Sequence, residues 1–247
     1  MANLFNNMKT DGLEESQDRL GGGFQALESG IYEGTVKAFY AGESKGGAMS
    51  LTLIADIGGG KEYKETVYIT NKQKQNFFVN KDSGKKSPLP GFTVANDICL
   101  IACGSELSEL ETEEKIVKIY DYEQKKEIPT AVPMVMAVVG KKVALGIVKT
   151  LENKTVKNDQ TGEYEPTADT REVNSIDKVF SPEFKMTVAE ARQQKTAPEF
   201  WDAWKKRNDG QTRDKRDIKD GEAAKGAPKA APKAAAAAAP KKSLFGK

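Results

Sequence analysis

Between Gly30 and Phe180 short apolar, β-branched and aromatic runs alternate with turn chemistry, the pattern of half-buried strands. Residues 31–41 (IYEGTVKAFYA) predict a first strand, followed by a flexible turn at Gly42-Glu43-Ser44-Lys45-Gly46-Gly47. Residues 48–57 (AMSLTLIADI) predict a second, closed by a hairpin at Gly58-Gly59-Gly60. In the third, 63–70 (YKETVYIT), Val67 and Ile69 share one face, while Lys64, Thr66, Tyr68 and Thr70 share the other. That second face is wet yet carries an aromatic ring. Residues 115–122, 142–152 and 170–180 predict further strands, the last entered through the turn at 158–162.

Helical signals are fewer. Residues 92–102 (FTVANDICLIA) read as a helix that puts Cys99 and Cys103 on one face. Thr187-x-x-Glu190 has the capping-box pattern of a short helix. Pro198 opens another, running towards Gly210 with Phe200, Trp201 and Trp204 pinning it to the body. The expected fold is therefore mainly β, an OB-fold-like five-stranded barrel with short C-terminal helices and a disordered basic tail. Another small β-barrel satisfies the same pattern. The corresponding division is an N-terminal arm at 1–30, a core at 31–182, packed helices at 183–210 and a tail at 211–247.

Composition narrows the chemistry. The 247 residues include no histidine, which removes Ser-His-Asp and Cys-His catalysis, HExxH metal sites and zinc-type deaminase sites. No GxxxxGK[ST] and no helix-opening GxGxxG is present, so nucleotide hydrolysis has no motif. The expectation is a protein that is not an enzyme and needs no cofactor. Cys99 and Cys103 have a spacing compatible with metal ligation but no other soft ligand, which favours packing. No stretch reaches the roughly 18–20 apolar residues of a membrane span, and mean hydropathy is −0.58. The opening MANLFNNMKTDG lacks the charged and apolar regions of a secretion signal.

Net charge is +2, but its distribution is uneven. Residues 1–30 and 31–204 each carry net −3, whereas 205–247 carry 13 cations and 5 anions, net +8. Such asymmetry points to a polyanionic or acidic partner for the tail. From Gly221 the composition turns to Ala, Pro and Lys, which has nothing to bury and predicts disorder. The tail ends in Ser243-Leu244-Phe245-Gly246-Lys247, whose apolar pair reads either as a docking peptide or as a frayed terminus.

One segment of the acidic body is basic. Residues 61–86 hold seven lysines against Glu62, Glu65 and Asp82, net +4, interleaved with Tyr63, Tyr68, Phe77 and Phe78. Binding single strands needs that mixture: lysines neutralise phosphates, and exposed rings stack on unpaired bases. Tyr63, Tyr68, Phe77 and Phe78 are the candidate rings, and Lys64, Lys72, Lys74, Lys81, Lys85 and Lys86 the candidate phosphate contacts. Asn71 adds hydrogen-bonding capacity, as do Gln73, Gln75 and Asn76. The alternative is a charged hairpin with buried phenylalanines; if it is extended, at most one of Phe77 and Phe78 faces a core.

Several stretches together resemble a known family. They are Asp18-Arg19-Leu20-Gly21-Gly22-Gly23-Phe24-x-x-Leu27-Glu28-Ser29-Gly30-x-Tyr32, Val36-Lys37-x-x-Tyr40, and Ser44-x-Gly46-Gly47-Ala48. Glu65-Thr66-x-Tyr68-Ile69-Thr70-Asn71-x5-Phe77 and Gln211-Thr212-Arg213-Asp214-Lys215-Arg216 complete the set. The chain resembles the single-stranded DNA-binding proteins of tailed bacteriophages, of the podophage type that also activates host RNA polymerase at late promoters. The resemblance implies an OB-type core that coats single-stranded DNA in replication and recombination, in the cytoplasm of an infected bacterium. It also implies contact between Ser243–Lys247 and host RNA polymerase, and partnership with phage replication and recombination proteins. Many other single-strand binders end in acidic tails, whereas this tail is basic and suits an acidic surface on a polymerase subunit. The competing expectation is an architectural or purely transcriptional protein whose basic tail is its main DNA contact.

Overall fold

The computed structural model describes residues 26–121, 124–158 and 162–218. Three antiparallel strands, β1 (Gly30–Glu43), β2 (Met49–Asp56) and β3 (Glu62–Tyr68), form a meander. Its register sets Phe39, Leu53 and Glu65 side by side across the sheet. After a hairpin of β4 (Phe77–Val79) and β5 (Lys86–Pro88) comes the helix α1 (Pro90–Cys103). A ribbon follows, built from β6 (Glu113–Asp121) and β7 (Lys126–Met134). β8 (Lys142–Lys157) then pairs with the first half of β1, from Thr35↔Lys142 to Gly30↔Ile147. β9 (Tyr164–Phe180) and the short β10 (Thr212–Asp214) add to β8. α2 (Val188–Arg192) and α3 (Glu199–Asn208) lie between β9 and β10 in the chain.

The first strand serves two neighbours on one edge. Its register with β2 slips between Val36 and Ala38, and past this bulge the edge pairs with β7 at Tyr40↔Met134 in place of β8. The chain divides into two compact units, one of residues 1–150 and 172–213, the other of 151–171 and 214–247. In the second unit, Asn153 exchanges hydrogen bonds with the backbone of Ile218, and Arg171 pairs with Glu152 at 2.8 Å. α2 and α3 belong to the unit that holds the sheet. The last residues of the expected arm are likewise part of the body: Ala26 and Ser29 are buried.

Alternation decides the core. Phe39, Leu51, Leu53, Ala55, Tyr63 and Val67 point inward from the meander, and Val94, Ala95, Ile98 and Cys99 of α1 close over them. Cys99 is thus a core residue, and burial pushes its thiol up to about 12. Cys103 on the next turn donates to the Cys99 carbonyl. The second helical anchor is Trp204, packed on Phe180, Ala144 and Val148. A Cβ at Gly146 would come within 3.1 Å of that indole and 3.2 Å of the Phe180 ring, so glycine there lets the two rings pack closely on β8. The Trp204 indole N–H donates to Asp177, which also accepts from Arg213. Burial raises the Asp177 carboxyl, but those two hydrogen bonds outweigh it and hold it low. Thr187 and Glu190 form both halves of the expected capping box. No described helix is long and apolar enough to cross a membrane.

The fold is mainly β and antiparallel, as expected, with no closed barrel among the described residues. Ten strands are present among the described residues, and none pairs with the outer edge of β3. Glu65 bridges that gap. One of its carboxylate oxygens accepts from the Tyr63 hydroxyl at 2.6 Å and from the backbone N–H of Ile176 in β9 at 2.7 Å. Burial pushes the carboxyl up, and the two donors offset part of that rise.

Both donors converge on one oxygen, so an amide oxygen can replace it. Glu65→Gln is expected to cost no more than about 1 kcal/mol, whereas Glu65→Leu strands two inward donors and should cost about 2–4 kcal/mol. Urea unfolding midpoints of the two variants measure the difference.

Candidate nucleic-acid interface

The outer face of β3 is built by its period of two. Lys64, Thr66 and Tyr68 point away from the core, and the Tyr68 ring is 54% exposed at the strand's end. Thr66 bonds across to Thr52 of β2 through their hydroxyls. Towards β1 this face is roofed by the β6–β7 ribbon, with Val132 and Met134 packed on Ala38 and Tyr40. The open part of the face is therefore its β3 margin.

Tyr63 does not belong to it. It is 6% exposed, sits in the core and donates its hydroxyl to Glu65, so it offers no ring to a base. Tyr63, Glu65 and Val67 follow one another at a spacing of two along the strand, and that period carries Tyr63 to the inward face.

Beyond Tyr68 the chain forms two organised turns. Asn71 is structural first: its side-chain oxygen accepts from the N–H groups of Gln73 and Gln75, which fixes the 71–75 loop and leaves Lys72 and Lys74 exposed. That loop adjoins the one between β1 and β2. Thr70 accepts from the Met49 N–H, Lys74 pairs with Glu43 at 3.1 Å, and the Lys72 side chain runs beside Gly46. Lys45, exposed on the same β1–β2 loop, joins this group. The sequence marked that loop only as flexible; a lysine followed by two glycines was the available signal.

The second turn is the β4–β5 hairpin. Asn80 accepts from the N–H groups of Asp82 and Ser83 and shapes the tip, where Lys81 and Lys85 are exposed. Phe77 and Phe78 point to opposite faces of the hairpin. Phe77 is half-buried with the Lys86 ammonium 4.4 Å above its ring, while Phe78 is 46% exposed. The accessible rings of the segment are therefore Tyr68 and Phe78.

The N-terminus of α1 holds Tyr68 from behind. A Cβ at Gly91 would lie 2.3 Å from the Tyr68 carbonyl oxygen, so helix and strand backbones touch there. A different concavity, of about 560 Å³, lies among α1, α2, α3 and β9. Several of its polar groups are already committed: Arg192 to Glu106, Lys195 to Glu199, and Glu190 to Thr187 and the Phe200 N–H. Asp97 on its wall is pushed up to about 6 by burial, against the pull of Lys178 and Arg192.

Residues Ser243–Lys247 and the rest of the basic tail from 219 lie outside the described residues, as does Asp18–Phe24 of the N-terminal motif. No protein-family model matches the chain, and no curated protein matches it.

Gly91→Ala is expected to destabilise by about 1–3 kcal/mol or more, since the clash is with backbone; thermal unfolding measures it. For Asp97 the folded-state carboxyl titrates above its unfolded value of 3.8. The folded chain then binds the extra proton between about pH 4 and 6, so this group adds stability as pH falls. Asp97→Asn should melt higher than the parent at pH 7, with the difference fading towards pH 4.

Proposed function

We propose that the chain binds single-stranded DNA without sequence preference, through the margin of β3, the 71–75 loop and the β4–β5 hairpin. The observation that carries the reading is the exposed pair of rings, Tyr68 and Phe78, on one segment studded with exposed lysines. Stacking on each ring contributes about 1–3 kcal/mol and tolerates any base. Lys64, Lys72, Lys81 and Lys85 hold phosphates, and Lys45 extends that set. Lys86 and Phe77 contribute less, because each already engages the other.

The fold reading belongs to the same proposal. The order β3-β2-β1-β8-β9, with α1 between the third and fourth of these strands in the chain, is what a partly open OB-type barrel requires. In that architecture the face of the second and third strands and the loop after the first strand contact oligonucleotides. Here those are the Tyr68 face and the loop at 44–48. The chain's part in phage replication and recombination, and activation of host RNA polymerase through Ser243–Lys247, complete the proposal. They are supported by the sequence resemblance and by the basic, apolar-tipped tail.

Fluorescently labelled single strands and duplexes, titrated with the full chain and with a version ending at Asp220, test it. Single-strand binding is expected to survive the truncation. Tyr68→Ala or Phe78→Ala should weaken it roughly 5- to 100-fold. Lys72→Ala or Lys81→Ala should reduce the log–log salt slope by about 0.7. Equal affinity for duplex, together with an unaffected Tyr68→Ala variant, would overturn the reading. Loss of all DNA binding on truncation would instead identify the tail as the main contact.

A further inference from the structure

The β6–β7 ribbon has two outer edges of different character, β7 meeting β1 at Met134 and β6 meeting no described strand beyond β7. The Val135 N–H donates to the Phe39 carbonyl, so odd-numbered residues of β7 aim their backbone groups at the β1 side. Pro129 and Pro133 share that parity and place no donor there, which blunts the edge against further pairing. β6 has no such protection. It is a nine-residue strand without proline or glycine, and among the described residues it pairs only with β7.

The same parity fixes which groups β6 presents. Glu114, Ile116 and Lys118 stand opposite Pro133, Ala131 and Pro129, so these pairs exchange no ladder hydrogen bonds. Their N–H and C=O groups therefore point to the open edge. Ile116 is 77% exposed, more than any other large apolar side chain among the described residues. An open row of backbone groups beside an exposed isoleucine is a template for another strand.

We infer that the occupant is β6 of a second copy of this chain, paired antiparallel about a two-fold axis at Ile116. Charge selects that register. It sets Ile116 against Ile116 and Glu114 against Lys118 twice, with 113–119 of each copy in the ladder. Moving the axis to Val117 sets Glu113 against Asp121 and wastes Ile116 on Lys118. Centring it on Lys115 or Lys118 sets a lysine against itself. Registers of odd sum face outward backbone groups with inward ones. A parallel two-fold pairing places every charge beside its own copy. The two ribbons joined at Ile116 form one four-stranded face, with Pro129, Ala131 and Pro133 flanking the isoleucines on each side.

Sedimentation of the full chain without nucleic acid, over 1–200 µM, reads the association. The parent chain is expected to show a monomer–dimer equilibrium within that range. Glu114→Lys or Lys118→Glu alone creates two like-charge pairs and should weaken dimerisation at least tenfold. Both together restore opposite charges and should return it to within about threefold of the parent. Ile116→Pro removes a ladder donor and should abolish the dimer while circular dichroism stays unchanged. A parent chain that remains monomeric throughout overturns the inference. So does a dimer indifferent to the single reversals, or a double variant no better than either single one.

Discussion

A single carboxylate oxygen holds the sheet in its working shape. Among the described residues β3 has β2 on one edge and no strand on the other, and Glu65 ties it back by taking the Ile176 N–H of β9 and the Tyr63 hydroxyl together. A backbone ladder in that place would have closed the barrel and pinned every residue of the edge. One side-chain contact fixes the middle of β3 only. Its end, where Tyr68 sits, is positioned separately by the close backbone approach of α1 at Gly91.

That arrangement separates rigid from adaptable parts of the candidate interface. Inward-facing Tyr63, Glu65 and Val67 belong to the core, so Lys64, Thr66 and Tyr68 stand on a fixed base. The loop and hairpin that follow are shaped by their own Asn71 and Asn80 side chains and by the Thr70–Met49 contact, with little apolar burial beneath them. Local asparagine turns keep lysines presented without demanding a core, and leave the hairpin able to adjust to a flexible strand.

What the sequence disclosed follows the strength of each periodic signal. β1, β2, β3 and α1 were legible because their inward positions are large and regularly spaced, and the Thr187–Glu190 box because capping is local chemistry. β7 was not, since Pro129 and Pro133 break the appearance of a strand and are tolerated only because they lie on an edge. The outer parts of β8 and β9 were missed for want of apolar alternation: they are polar on both faces. Closure of the sheet was illegible for a different reason. Glu65 looks like any surface acid on an amphipathic strand, and only the partner from β9, 111 residues away, makes it a seam. The aromatic segment was found from composition, but composition could not separate buried Tyr63 from exposed Tyr68.

Charge along the segment also changes meaning once it is folded. Its net +4 counts Glu62, Glu65 and Asp82 against seven lysines. Glu65 is turned inward, and Glu62 is held by Lys37 at 2.6 Å, a cation from outside the segment. Both acids are thus withdrawn from the lysines around them. In the other direction, Lys74 is engaged by Glu43, and Lys86 stands over Phe77. Lys61, Lys64, Lys72, Lys81 and Lys85 remain, exposed and without an anionic partner among the described residues. The unpaired positive charge therefore stands at the β3 margin, the 71–75 loop and the hairpin tip. Each of those three places except the loop carries an accessible ring, and the loop lies between them in the chain. A polyanion attracted to these charges is delivered to Tyr68 and Phe78, while the acidic remainder of the body repels it elsewhere. On the proposed reading, local concentration of charge beside Tyr68 and Phe78, more than net charge, is what suits this surface to a single strand.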